Sequence, residues 1–370
     1  MTNNIDKRLV NNIPASLRFK FLTLLFLAVI CCNVLQPVTA DSSTPVSSSL
    51  YKLSDKGVCW EYEAWRDKST GDVNWSGVET DASLMQGAGI NWARVSLRYT
   101  DDLSQVDRLV SIARRRSIKL DLLIGKAPPE RDYGDPAQEA IDSSWLTKVV
   151  KRYKSYVKLW EIGNEPNITQ SWDRQQPENS DTLDSSIRQY ISYLAESYTI
   201  VKRVDPRATV LMAGFSEWKA ESWLDSFRRQ QGGQYTDGFA IHPYAADADS
   251  VAARLKTIIA KANEDPLLAG KPVWITEVGF EVEKSWQTPG FVGNEANKAS
   301  NLSKVMQLLR AAGIKTPIFW YTLHELGPET HGYGLTIIDS GADGHETTQP
   351  AYDAYRAFNA AEPGTVTGGR

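Results

Sequence analysis

The chain has 370 residues and a formal net charge of −4 at pH 7. Because this charge is small and no stripe of Lys or Arg is present, we expect no nucleic-acid partner, and no acidic block predicts a disordered tail. Apart from a short leader, the chain is long enough to bury one large core and is close to the size of a single barrel domain.

The N-terminus has the pattern of a secretory signal. Basic residues between Lys7 and Lys20 precede the apolar segment 21–35, and small residues follow up to Ala40. We predict cleavage after Ala40 and a secreted or periplasmic protein without stable membrane insertion. An uncleaved N-terminal membrane anchor is the alternative. Cys59 is then the single mature cysteine, and we expect it to be buried and inert.

The remaining chain alternates between apolar runs and helical patterns. The apolar runs, which predict strands, cover 57–62, 92–97, 120–124, 157–162, 209–213, 238–242, 273–276 and 318–322. The helical patterns cover 81–89, 103–117, 138–153, 183–204, 221–231, 250–268, 295–312 and 351–358.

Strands that each precede a helix predict an α/β protein with a single-domain (β/α)8 TIM barrel. We assign residues 1–40 to the signal peptide, 41–50 to a flexible leader, 51–362 to the barrel and 363–370 to a C-terminal tail. A doubly wound open sheet is the competing topology. However, Val58, Cys59 and Trp60 give no glycine-rich phosphate turn after the first strand.

Two glutamates occupy matching positions at the ends of apolar runs. Glu165 follows an amide residue in the run Trp-Glu-Ile-Gly-Asn-Glu-Pro-Asn, and Glu277 lies in Trp-Ile-Thr-Glu-Val-Gly-Phe. One such glutamate alone is usually a solvated loop residue. As a pair on one barrel they supply what glycosidic bond cleavage needs, one carboxyl group to protonate the leaving oxygen and one to attack the sugar carbon.

Other strand-end side chains are expected at the same mouth, because the active site of such a barrel lies at the C-terminal ends of its strands. These candidate substrate-binding residues are Arg94, Asn164, His242, Tyr244, Trp320 and His324. The abundance of tryptophan, 12 residues, is typical of proteins that bind sugars, since indole rings stack on sugar faces.

These motifs, together with Ala-Ile-His-Pro-Tyr at 240–244, resemble clan A of the glycoside hydrolases over nearly the whole mature chain. Within the clan they look most like family 39, particularly its bacterial exopolysaccharide hydrolases, with family 5 second. The resemblance implies that Glu165 is the acid/base and Glu277 the nucleophile of a retaining enzyme. A separation of about 5–5.5 Å between the two carboxyl groups is then expected.

The resemblance also implies roles for the surrounding residues. Arg94 and the Tyr244 hydroxyl would lie beside the nucleophile and lower its pKa, and Asn164 would bind the sugar 2-hydroxyl. Trp320 would form the floor beneath the sugar and precede a non-proline cis peptide bond; core packing is the alternative for its indole. His242 would hydrogen-bond within the site; the alternative is that its ring only forms a hydrogen bond with a neighbouring backbone group.

Neighbouring positions leave further alternatives open. His324 would line a subsite or face water, and we expect Glu161, within the fourth strand, to form a structural salt bridge. The longest mouth loops, 167–183 and 280–294, contain Trp172 and Trp286, which we expect to be sugar platforms of an endo-acting groove on a polysaccharide.

No other catalytic pattern competes. The four histidines lack metal-ligand spacing and no Gly-x-Ser-x-Gly motif occurs, so we expect neither a metal nor a cofactor. We expect a monomer that acts on an oligosaccharide or polysaccharide. A carbohydrate-binding barrel, or an exopolysaccharide assembly accessory that has lost catalysis, is the alternative function.

Overall fold

Eight parallel strands close into a barrel in which each strand pairs with its neighbours in sequence and β8 pairs with β1. A computed structural model describes residues 50–359 apart from 68, 100, 126–135, 168–179, 284–289, 326–331 and 339–345. The barrel strands are β1 (Lys56–Cys59), β2 (Trp92–Leu97), β3 (Lys119–Ile124), β4 (Leu159–Asn164), β5 (Thr209–Ser216), β6 (Phe239–His242), β7 (Val273–Val278) and β8 (Ile318–Trp320). The predicted TIM barrel is confirmed, and all described residues belong to one compact unit.

A helix follows each strand and covers the outside of the barrel. The helices are α1 (Trp75–Gly87), α2 (Leu103–Arg115), α3 (Pro136–Tyr153), α4 (Ser180–Val204), α5 (Ala220–Arg229), α6 (Ala248–Ala262), α7 (Glu295–Ala311) and α8 (Pro350–Ala357). Side-chain caps begin several of them: Asn74, Asp102, Asp247 and Asn294 each accept a hydrogen bond from a backbone N–H of the first turn. The cap at Asn74 makes α1 begin six residues before the predicted start at 81.

Side chains alternate between the barrel interior and the helix layer. The interior cluster takes one residue from seven strands: Cys59, Trp92, Leu159, Leu211, Ala240, Trp274 and Phe319. Trp92 contacts Trp274 and Phe319 across the interior at ring-centroid distances of 6.2 and 6.4 Å. Residues of opposite parity, among them Trp160 and Trp320, pack in the outer core. This alternation determines which strand-end residues face the mouth.

Two local features differ from the sequence patterning. β1 ends at Cys59 rather than at the predicted residue 62, because residues Tyr62–Trp65 form a 3-10 helix instead. An additional small sheet, which the patterning did not predict, orders β9 (His324–Glu325), β10 (Thr336–Ile338) and β11 (Glu346–Thr348) beside the barrel.

The predicted signal segment and leader up to residue 49 and the C-terminal tail lie outside the described residues, and the domain boundaries stay predictions. Within the described part of the chain, we find no helix with both the length and the apolar composition that crossing a bilayer requires.

Candidate active site

An extra residue in β7 turns Glu277 toward the barrel interior. Ile275 pairs with Ile318 and Val278 with Trp320, so that β7 uses three steps where β8 uses two. Such a bulge changes the alternation of side chains. Thr276 and Glu277 therefore both make contacts inside the barrel, where a regular strand would turn one of them outward.

The Glu277 carboxylate is held by two donors. Arg94 Nη1 donates to its Oε1 at 2.6 Å, and the Tyr244 hydroxyl donates to its Oε2 at 2.9 Å. Burial on its own would raise the pKa of Glu277, but the charges of His242 and Arg94 and these hydrogen bonds outweigh burial and lower it. Glu277 is thereby stabilised as the ionised carboxylate.

The end of β4 turns Glu165 toward Glu277. Gly163 has φ of 82°, a conformation that favours glycine, and Glu165 itself has φ of 43°. The Glu165 backbone N–H donates to the Gly214 carbonyl at 2.8 Å, which supports this left-handed residue. One carboxylate oxygen of Glu165, one of Glu277 and a ring nitrogen of His242 all lie within 4.8 Å of one another. The two glutamates remote in sequence thus share one site.

His242 connects Glu165 to a buried hydrogen-bond chain. Its Nδ1 lies 2.9 Å from Glu165 Oε1 and its Nε2 lies 3.0 Å from Thr276 Oγ1. Since the Thr276 hydroxyl donates to Glu161, Nε2 carries a proton and donates to Thr276. The hydrogen bond between Nδ1 and Glu165 then contains one proton, which is bound either to Nδ1 or to the Glu165 carboxylate.

Burial by itself would lower the pKa of His242, but the charge of Glu277 and the hydrogen bond to Glu165 raise it. Gly214 is required beside the ring, because a Cβ there would come within 2.2 Å of His242 Nε2.

Glu161 forms the predicted structural salt bridge. Arg94 Nε donates to Glu161 at 2.6 Å, and Gly214 N donates to the same carboxylate at 2.8 Å. Arg94 Nη2 also donates to Asn164 Oδ1 at 2.7 Å, which leaves the Asn164 amide N–H groups for other partners. Burial and the charge of Glu161 raise the pKa of Asp121, which lies beneath this pair. Arg94 therefore links β2 to β4 and β7 at the base of the site.

The prediction for Trp320 is wrong by one position. Trp320 is fully buried in the outer core, where its indole donates to the Tyr333 carbonyl at 3.0 Å. The alternation of β8 instead directs the next residue, Tyr321, to the mouth, where its ring lies 5.6 Å from that of Tyr333. The non-proline cis peptide bond likewise joins Tyr321 and Thr322 rather than Trp320 and Tyr321.

The prediction that His324 binds substrate is also wrong. Its side chain is fully buried, with Nε2 at 3.0 Å from Asp81 Oδ2 and Nδ1 at 3.1 Å from Thr336 Oγ1. The ring belongs to β9 and has no face left for a ligand. Cys59, by contrast, is the buried free thiol that was predicted, and burial raises its pKa.

Among the other aromatic residues of the mouth, two predictions are untested and one residue was missed. Trp172 and Trp286 lie outside the described residues. The sequence interpretation missed Trp218, which follows β5 and is 42% exposed. Asn167, two residues after Glu165, donates to the backbone carbonyls of Ser216 and Trp218 at 2.8 and 2.6 Å and so fastens this loop to the end of β4. A tryptophan shortly after a strand end was the sequence signal that could have identified Trp218.

The Glu165–His242–Glu277 group has atom types that bind metals, but its atoms already contact protein partners. Both nitrogens of His242 and both oxygens of Glu277 are engaged by neighbouring side chains. The arrangement is better suited to proton transfer and to attack by a carboxylate than to holding an ion. That no metal or cofactor is needed stays a prediction.

Comparisons with solved structures show a shared fold. The chain is 20% identical to a family 39 glycoside hydrolase from Bacteroides cellulosilyticus WH2, with a TM-score of 0.59, covering 86% of this chain and 64% of that protein. It is 15% identical to β-glucuronidase 2 of Bacteroides uniformis, with a TM-score of 0.61, covering 83% and 35%. It is also 15% identical to a GH5_18 protein from Bifidobacterium longum subsp. infantis, with a TM-score of 0.61, covering 82% and 77%.

The chain thus spans less than two thirds of the length of the first two proteins. No curated protein matches the sequence. A family model described as the glycosyl hydrolase catalytic core matches residues 137–334, a region that contains Glu165, His242 and Glu277. Because this match covers more than half of the 370 residues, the chain belongs to the glycosyl hydrolase catalytic core family.

Proposed function

We propose that this protein is a retaining O-glycosidase that cleaves β-linked glycosidic bonds within a polysaccharide. The observation that carries the proposal is the approach of the Glu165 and Glu277 carboxylates to within 4.8 Å of each other beside Nδ1 of His242. Retaining enzymes have carboxyl groups about 5–5.5 Å apart, whereas inverting enzymes leave room for a water molecule at about 6.5–9.5 Å. The short approach favours retention.

In the first step, a Glu277 oxygen attacks the anomeric carbon while the bond from that carbon to the leaving oxygen breaks. Glu165 gives its proton to the leaving oxygen. In the second step, Glu165 takes a proton from water, whose oxygen attacks the anomeric carbon and releases Glu277. The lowered pKa of Glu277 supports its role as nucleophile, since only the carboxylate attacks.

Asn164 would strengthen this reaction as the transition state forms. Its amide oxygen accepts from Arg94 at 2.7 Å, which directs the amide N–H groups away from that guanidinium. A hydrogen bond from this amide to the sugar 2-hydroxyl strengthens as positive charge grows on the sugar ring.

Exposed aromatic side chains on mouth loops support action on a polymer. Trp218 follows β5 and Phe291 follows β7, and they are 42% and 44% exposed. Exposed rings on loops after the strand ends extend the surface on which successive sugar units stack. We propose endo-acting cleavage on this basis, together with the platforms Trp172 and Trp286 that the sequence predicts in the loops 167–183 and 280–294. Secretion and a monomeric state belong to the same proposal.

The test is a screen of the purified protein against polysaccharides and aryl β-glycosides, with sizing of products and NMR of the first anomer released. We expect internal fragments with the β configuration. An α anomer would contradict retention, and release of monosaccharides alone would contradict endo action. Saccharide binding without any turnover would favour the carbohydrate-binding alternative.

A further inference from the structure

A third carboxylate, Glu61, lies at the barrel mouth after β1. Cys59 faces the interior, where its Sγ lies 4.0 Å from Arg94 Nη1. Trp60 faces the helix layer, and its indole donates to Asp81 of α1 at 2.7 Å. Because the Trp60 backbone N–H still pairs with Arg94 O at 2.9 Å, the alternation continues and directs Glu61 to the interior, one layer above Cys59.

The surroundings of Glu61 agree with this position. Burial raises its pKa, while the nearby charge of Arg94 lowers it and that of Glu277 raises it. Burial, with the charges of Glu277 and Glu61, also raises the pKa of the Tyr321 hydroxyl. Together with the strand alternation, these charge effects place Glu61 near Arg94 and Glu277 at the mouth.

Glu61 differs from its neighbour Glu63 in its partners. Glu63 pairs with Arg66 and Arg98, each at 3.3 Å. No hydrogen bond or ion pair to the Glu61 carboxylate occurs within the part of the chain that the structure describes. A shielded carboxylate without donors is unfavourable unless a ligand provides them.

We propose that Glu61 determines substrate specificity by accepting hydrogen bonds from two adjacent hydroxyls of the sugar on the nucleophile side of the cleaved bond. This rests on the proposed glycosidase function. A carboxylate has two acceptor oxygens, which suit a pair of neighbouring hydroxyls. A uronic acid would bring a third negative charge next to Glu61 and Glu277. The pocket therefore selects neutral sugars over uronic acids.

The test compares Glu61→Gln with the matched control Glu63→Gln, which removes the same charge two residues away. kcat/KM is measured on aryl β-glycosides of neutral sugars and of glucuronic acid. We expect Glu61→Gln to lower kcat/KM for the best neutral glycoside by about tenfold or more. The ratio of this kcat/KM to that for the glucuronide should also fall by about tenfold. Glu63→Gln should change both values by less than about twofold.

An unchanged neutral-to-glucuronide ratio in Glu61→Gln, or an equal narrowing in Glu63→Gln, overturns the proposal. Glu61→Ser removes the charge with a smaller side chain and provides the same readouts if the glutamine variant does not fold.

Binding separates this proposal from the proposed function. Calorimetric titration with neutral monosaccharides and with glucuronate requires no turnover. If the wild type hydrolyses nothing but binds a neutral sugar more tightly than glucuronate, and Glu61→Gln alone removes that difference, the role of Glu61 stands while the glycosidase proposal fails. Equal affinity of the wild type for both sugars, or no binding of a neutral sugar, overturns the role of Glu61.

Discussion

Two buried histidines in this barrel each lie between two carboxylates, yet only one of these groups is open to a substrate. The mouth cluster consists of Glu165, His242 and Glu277, and the sealed cluster consists of Asp81, His324 and Glu346. In both, the candidate ligand atoms lie within 4.8 Å of one another. Residue types and spacing therefore do not distinguish them.

Access and hydrogen bonding do distinguish the two clusters. In the sealed cluster, Asp81 accepts from the indoles of Trp60 and Trp65 at 2.7 and 2.8 Å and from His324 at 3.0 Å. The His324 and Glu346 side chains have no exposed surface. In the mouth cluster, by contrast, 20% of the Glu165 side chain is exposed. A buried histidine between carboxylates is a candidate site only where one of the carboxylates also reaches open space.

The largest expected effect is on the proposed nucleophile of the mouth cluster. Glu277→Gln keeps the shape of the side chain but removes the attacking carboxylate, so we expect kcat to fall by about 10⁴-fold or more. Thermal unfolding should show that the barrel remains folded. Full hydrolytic activity in a folded Glu277→Gln protein would contradict the assignment.

Glu165→Ala should separate the two steps of the reaction. Aryl glycosides with good leaving groups need no proton from Glu165, so the covalent intermediate should still form and then turn over slowly for lack of a base. Added azide should accelerate release and give a β-glycosyl azide, which NMR or mass spectrometry identifies. Glu161→Ala is not a suitable control, because it removes the partner of Arg94. A Glu165→Ala protein that azide does not accelerate would argue against the acid/base role.

His324→Ala should affect stability rather than chemistry. The substitution leaves two buried carboxylates without their shared cation, and breaking such a pair costs about 3–5 kcal/mol in the free energy of unfolding. Chemical denaturation measures this loss, and kcat of the protein that remains folded should stay within about threefold of wild type. His242→Ala is the matched comparison, for which we expect the larger loss in kcat. The reverse pattern would show that the sealed cluster is the functional one.

The pH dependence of stability should also come from the sealed cluster. Burial alone would lower the pKa of His324, but the charge of Asp81 and the hydrogen bond to it raise it to about 9. An unfolded histidine has a pKa of about 6.5, so this contribution to stability is complete below about pH 6.5 and is lost as the pH rises through 9. Urea unfolding measures the free energy of unfolding at pH 6 and at pH 9.5. Between these two pH values it should fall more in the wild type than in His324→Ala. Equal losses would mean that His324 is not the responsible group.

The sequence predicted the barrel well because buried parallel strands are continuous apolar runs, and all eight were located. It predicted the mouth less well, because a shift of one residue along a strand decides whether a side chain faces the barrel interior or the helix layer. The outward position of Trp320 and the inward position of Tyr321 follow from the phase of β8 within the closed barrel. Glu277 reaches the interior only because of the extra residue between Ile275 and Val278, and no sequence pattern indicates this bulge. His324 was misassigned because its partner Asp81 lies 243 positions away in sequence.

Covalent trapping is the most direct way to show whether Glu277 is the nucleophile of the mouth cluster. The wild-type protein is incubated with activated 2-fluoro glycosides of the sugar that it cleaves, digested, and sequenced by mass spectrometry. We expect one fluoroglycosyl adduct, on Glu277, that is absent from Glu277→Gln. An adduct on Glu165, on Glu61 or on any residue of the sealed cluster would contradict this assignment.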